Sequence, residues 1–146
     1  MSPTQQERTE ATIAQLVEAA RELFAEDGYA ATSLDAVVAR AGVTKGALYH
    51  HFSGKRDLFA AVFAAEQVRL SGAIVAAYQR SREPWEAFEA GAAAFIEACQ
   101  EPGAQQIFLL DAPSALGWET IRRLESGSLL MMERGIKRAG RDLWVL

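Results

Sequence analysis

Cysteine is nearly absent from this sequence: Cys99 stands alone among 146 residues. One thiol cannot close an internal disulfide, which excludes a disulfide-stapled extracellular scaffold and makes a reducing cytoplasm the expected compartment. The bland reading of Cys99 is a small apolar residue on a helix. Proline is also scarce, with four residues, and alanine is heavily used, a balance that favours helices. No apolar run approaches the ~20 residues of a membrane span. The polar start, "MSPTQQERTE", carries no signal-type segment, so neither secretion nor a membrane partner is expected. A more local absence concerns acid. Between Arg40 and Arg56 there is no Asp or Glu, although the chain carries a net charge of -4. That window holds Arg40, Lys45, Lys55, Arg56 and both histidines, His50 and His51, so the residues outside it sum to -8. Positive charge gathered in one place implies something negative to meet it.

What is present is helical periodicity. From Thr9 to Glu26, Ile13, Leu16, Val17, Ala20, Leu23 and Phe24 form one apolar stripe. Gly28 suits the residue just past that helix. Ser33 is a candidate N-cap with Asp35 in the first turn behind it. Gly42 breaks this second helix early. Thr44 is the next N-cap candidate, opening the short helix "KGALYHHF". Two short helices joined by a tight Gly-containing turn form a helix-turn-helix. Ser53 is expected to cap a further helix running to Leu70, or to Tyr78 if Gly72 does not interrupt it. Pro84 then opens another helix. "QEPGA" breaks it, "QQIFLLDAPSALG" reads as one or two helical turns interrupted near Pro113, and a last helix runs from Trp118 to about Ala139. No strand reading competes, so the fold class is all-α.

The second short helix has the features of a DNA reader. Such a helix enters the major groove N-terminus first, held by backbone contacts on either side. Thr44 and Lys45 lie at its start. Gly46 has no side chain to hold the duplex away. Tyr49 and His50 fall one turn later on the same side. Lys55, at the start of the next helix, is a candidate phosphate contact, while Leu48 and Phe52 are core anchors. Each has a plainer alternative: Lys45 as a solvated lysine, Tyr49 as a rim aromatic, Arg40 and Arg56 as solubilising charge. Enzyme readings find no support. Gly54-Lys55 lacks the earlier glycine of a phosphate-cradling loop. The adjacent histidines and single cysteine offer no metal site, and Ser53 sits in no nucleophile turn. No cofactor is expected.

The segment "AARELFAEDGYAATSLDAVVARAGVTKGALYHHFSGKRDLF" resembles the DNA-binding half of the TetR family of bacterial transcriptional regulators. The resemblance spans Thr9 to Val68. It implies a three-helix helix-turn-helix domain over 9–68. A long fourth helix would join it to a helical effector-binding and dimerisation domain over 69–146, short of the family's usual final helix pair. By motif position it implies Thr44, Lys45, Gly46, Tyr49 and His50 on the recognition helix, Lys55 on a phosphate and Ser33 near the backbone. The implied partners are a double-stranded DNA operator, a small apolar or aromatic effector and a second copy in a homodimer. Phe63, Phe88, Phe95, Cys99, Phe108, Trp118 and Met131 are candidate walls of the effector pocket, with plain core as the alternative for each. The expected function is a ligand-responsive regulator, a repressor on a palindromic operator. The alternative is a non-catalytic helical module whose basic patch binds an acidic partner, or a truncated regulator that heterodimerises.

Overall fold

The computed structural model describes residues 2–142; within its last helix the side chains at 128, 129, 131, 132, 139, 141 and 142 lie outside the description. Helix α1 spans Gln5–Asp27, starting earlier than its apolar stripe. The cause is a capping box: the Thr4 hydroxyl accepts from the Glu7 N–H, and the Glu7 carboxylate accepts from the Thr4 N–H. Helices α2 (Leu34–Ala41) and α3 (Lys45–His51) follow. The Ser33 hydroxyl accepts the Ala36 N–H at 3.1 Å and the Thr44 hydroxyl accepts the Ala47 N–H at 3.1 Å, so both are N-caps. Gly42 takes the left-handed conformation that closes the turn between them.

Ser53 is not the next cap. Gly54 occupies that position, and no side chain caps it. Instead Asp57 reaches back from the first turn and accepts the Ser53 N–H at 3.0 Å. Helix α4 runs unbroken from Lys55 to Tyr78, straight through Gly72. The expected domain division at 68/69 therefore falls inside one continuous helix. By length and composition alone, α4 is apolar enough to cross a membrane, which no uninterrupted apolar run announced. Its apolarity serves two packing duties here. Leu58, Phe59, Val62 and Phe63 are buried in the core, and Leu70, Ile74 and Val75 wall a cavity further along.

Helix α5 (Pro84–Gln100) starts with Pro84, and the Glu83 carboxylate accepts from the N–H groups of Trp85 and Glu86. Then α6 (Pro102–Gln105), a π-helical segment (Gln106–Asp111) and α7 (Ala112–Leu116) follow without an intervening loop. The last helix, α8, spans Trp118–Asp142. Among the described residues there is no strand. One core joins the two ends of this arrangement: Leu16, Phe24, Leu48 and Phe59 share a cluster with Ile107, Ala112, Leu116 and Ile121. Beside it a charged lattice ties α1 to α4, where Arg21 pairs with buried Glu66, and Arg69 bridges Glu66 at 3.5 Å and Glu18 at 3.7 Å.

Candidate DNA-reading surface and effector cavity

Helix α3 rests on buried Leu48, with Phe52 buried just beyond its end. This anchoring turns the opposite side outward. Thr44, Lys45, Gly46, Tyr49 and His50 are all exposed, and at about 100° per residue Lys45, Gly46, Tyr49 and His50 span an arc of roughly 140°. Tyr49 is 52% exposed, a large aromatic left half open to solvent. Ser33 and Thr44 spend oxygen lone pairs on their caps but keep an O–H to donate. Gly46 meets nothing closer than the Thr44 hydroxyl, at 3.9 Å from where a Cβ would stand. The fold therefore places no steric demand for glycine at that position, although glycine inside a helix costs about 0.5–1 kcal/mol.

The four cations of the acid-free window are not a loose patch. Arg40 reaches Glu22 and Glu26 of α1, each at 3.4 Å. Lys45 pairs with Asp35 at 2.8 Å across the helix-turn-helix. Hydrogen bonding and charge from Asp35 push the Lys45 ammonium above its usual range. The Lys55 ammonium, an expected phosphate contact, turns inward. It donates to the carbonyls of Tyr29 at 2.7 Å, Thr32 at 3.0 Å and Ala30 at 3.4 Å, and lies 4.5 Å from the Tyr29 ring centroid. Arg56 donates to the carbonyls of Ala115 at 3.0 Å and Leu116 at 2.8 Å, groups that the end of α7 leaves without helical partners. It is a clasp, not a solubilising charge. Lys45 and Tyr49 thus share an outward surface, and the Lys55 side chain does not.

A second region is an open cavity of about 870 Å³ between α4, α5, the π-helical segment and α8, with Ile96, Leu109 and Trp118 exposed along it. Of the expected wall residues, Phe88, Phe95, Cys99, Phe108 and Trp118 line it. Phe63 does not: it is buried in the core behind Phe108, their ring centroids 5.1 Å apart and the rings edge to face. The Met131 side chain lies outside the described residues. Burial pushes the Cys99 thiol up, away from the reactive thiolate. The sequence offered no polar wall residues, but the structure adds Gln67, Ser71, Glu125, Arg134 and Arg138. Gln67 donates to Glu125 at 3.4 Å. Nothing local in the sequence set it apart, because Glu66 and Arg69 stand beside it on the same helix.

The π-helical segment stands between the two regions. Phe108 and Leu109 face the cavity. Asp111, from the same six residues, accepts the Tyr29 N–H at 2.8 Å and the Gln106 side-chain N–H at 3.1 Å. Gly28 has φ +82°, and a Cβ there would stand 3.2 Å from the Gln106 amide nitrogen. The loop after α1 is therefore gripped by the π-helical segment from one side and by Lys55 from the other. None of these long-range bonds carries a local sequence signal.

Residues 16–62 match the model of bacterial regulatory proteins of the tetR family, and residues 85–143 match a tetracyclin repressor-like C-terminal domain. A TetR-family transcriptional regulator from Pectobacterium atrosepticum, solved as a crystal structure, is 34% identical with a TM-score of 0.69; the alignment covers 88% of this chain and 72% of that one. The chain belongs to the TetR family. That family consists of DNA-binding transcriptional regulators. The Transposon Tn10 TetC protein of Escherichia coli is 31% identical over 120 residues, 82% of this chain and 60% of its own length. The chain thus spans about 60% of that curated relative. A gamma-butyrolactone receptor described as ArpA-like is 30% identical with a TM-score of 0.55, over 84% of this chain and 65% of that one. The TetR-type all-α architecture, a helix-turn-helix joined to a helical C-terminal domain, agrees with these likenesses.

Proposed function

We propose that this TetR-family chain is a ligand-responsive transcriptional repressor that binds a palindromic operator as a dimer. Residues 9–68 act as the reading half and 69–146 as the effector and dimerisation half. Two copies set their α3 helices in successive major grooves, about 34 Å apart. Lys45, Gly46, Tyr49 and His50 meet the groove and its phosphates, with Ser33 and Thr44 donating to the backbone from their caps. The start of α4, which lacks a side-chain cap, offers phosphate its amide groups and dipole. The Lys55 side chain holds the reading head in shape from within.

The observation that carries the ligand-responsive part is the double duty of Gln106–Asp111. Its Phe108 and Leu109 belong to the cavity wall, and its Asp111 holds the loop that Lys55 also grips. A small molecule in the cavity presses on the segment that positions the reading head. It shifts the population only through its different affinity for the two states. The relative named as a gamma-butyrolactone receptor supports a small organic effector.

Selection of bound duplexes from a random pool at moderate salt tests this reading. A recovered palindrome with half-sites one helical turn apart is the expected result. Retention of duplexes no better than other polyanions would instead support a module that binds an acidic protein.

A further inference from the structure

The cavity walls are mostly apolar, and their hydrogen-bonding and charged groups fall chiefly in two places. One is Gln67 and Ser71, one turn apart on α4, with Glu125, which Gln67 meets at 3.4 Å. The other is Arg134 and Arg138, one turn apart on α8 and both lining the cavity. Neither arginine has a salt bridge or a side-chain hydrogen bond among the described residues, whereas Lys137 between them is paired with Glu133 at 2.5 Å. Both arginines are exposed, and their spacing of four residues sets them on one face of α8, where a single anion can meet both. Glu125 lies nine residues before Arg134, about 14 Å along the helix. The cavity therefore carries a charge polarity along α8, negative at one end and doubly positive at the other, with apolar surface between. Its volume of about 870 Å³ falls within the roughly 300–1,000 Å³ typical of small-molecule sites.

From this arrangement we propose that the cavity takes an amphipathic organic anion. Its apolar body lies against Ile74, Phe88, Phe95 and Phe108, and its acid group is held by Arg134 and Arg138. A planar carboxylate suits the guanidinium fork. A cation gains nothing at the arginine end, and a neutral molecule of equal length gains only the apolar contact. The proposal rests on the cavity being the effector site and narrows what that effector is.

The test titrates the full chain with dodecanoate, dodecanol and dodecylammonium below their micellar concentrations. Tryptophan fluorescence, with Trp118 in the cavity wall, and calorimetry read the binding. Dodecanoate is expected to bind at least tenfold more tightly than either dodecanol or dodecylammonium. In Arg134→Gln/Arg138→Gln that preference should fall to within twofold, while dodecanol binding stays as it was, which also controls for folding. Equal affinity for acid and alcohol in the parent, a preference surviving in the double variant, tighter binding of the amine, or no binding of any probe would each overturn the proposal. Operator affinity measured with and without dodecanoate separates the two readings: charge-selective binding without any change in DNA affinity leaves the ligand class standing and removes the effector role.

Discussion

The Asp111 carboxylate accepts the backbone N–H of Tyr29 at 2.8 Å, across 82 residues of chain. Tyr29 in turn packs against Phe24 and Phe59 and offers its carbonyl to Lys55. Removing the carboxylate in Asp111→Ala leaves a partly buried amide without its partner, a loss of about 1–3 kcal/mol. Thermal unfolding should register that loss. More specifically, the ratio of duplex affinities without and with effector should fall toward one, since coupling of this kind typically carries 1–3 kcal/mol. An unchanged ratio would route the signal elsewhere, through Arg56 and α7.

Gly46 separates folding from reading. Gly46→Ala is expected to stabilise the chain by up to about 1 kcal/mol, because open space surrounds the new methyl group. Duplex binding is expected to weaken, because that methyl would stand between α3 and the DNA. Denaturant unfolding and a duplex titration of the same sample check both halves. A variant that is more stable and binds as well as the parent removes α3 from close contact.

Lys45 and Asp35 form an exposed pair that a phosphate would have to open. Lys45→Ala should reduce the slope of log affinity against log salt by about one unit. Asp35→Asn should strengthen binding to any duplex, since Lys45 no longer leaves a carboxylate to meet phosphate. Titrations at several salt concentrations decide the matter. If Lys45 reads guanine instead, the loss concentrates at one base pair, at about 1–3 kcal/mol.

Lys55→Met keeps the stem and removes the ammonium. With bonds to the Tyr29 and Thr32 carbonyls lost, the expected cost is about 2–3 kcal/mol of stability. Chemical denaturation measures it. Undiminished stability combined with weaker duplex binding would return this side chain to a phosphate.

Glu7 titrates below the ordinary carboxylate range, first because its carboxylate accepts the Thr4 backbone N–H and then because it bonds the Thr4 side chain. A lowered folded-state value means stability that is present above the unfolded pKa and lost as pH falls through the folded one. Amide protection in the first turn of α1, taken relative to the intrinsic exchange rate at each pH, should therefore fall in acid, while the core amides stay protected. Equal protection in Glu7→Ala across the same pH range would show that the box contributes nothing.

The sequence alone determined what depends on neighbours in the chain. The apolar stripe of α1, the Ser33 and Thr44 caps, the Gly42 turn and Pro84 at a helix start are all local, because backbone conformation and helical spacing are set within a few residues. The outward face of α3 followed from the same spacing, with Leu48 roughly 130° from the middle of the arc that holds Lys45, Gly46, Tyr49 and His50. Tertiary structure decided where the long side chains go. The window free of acid in sequence is ringed by acid in space, because Glu22, Glu26 and Asp35 arrive from α1 and α2 to meet Arg40 and Lys45. Lys55 looked like a phosphate contact and became an internal clasp, because the loop at Tyr29–Thr32 brings its carbonyls there. Phe63 and Phe108 look alike in sequence, yet packing buries one in the core and sets the other in the cavity wall. Helical periodicity records which side of a helix is apolar, and only the packed chain records what that side meets.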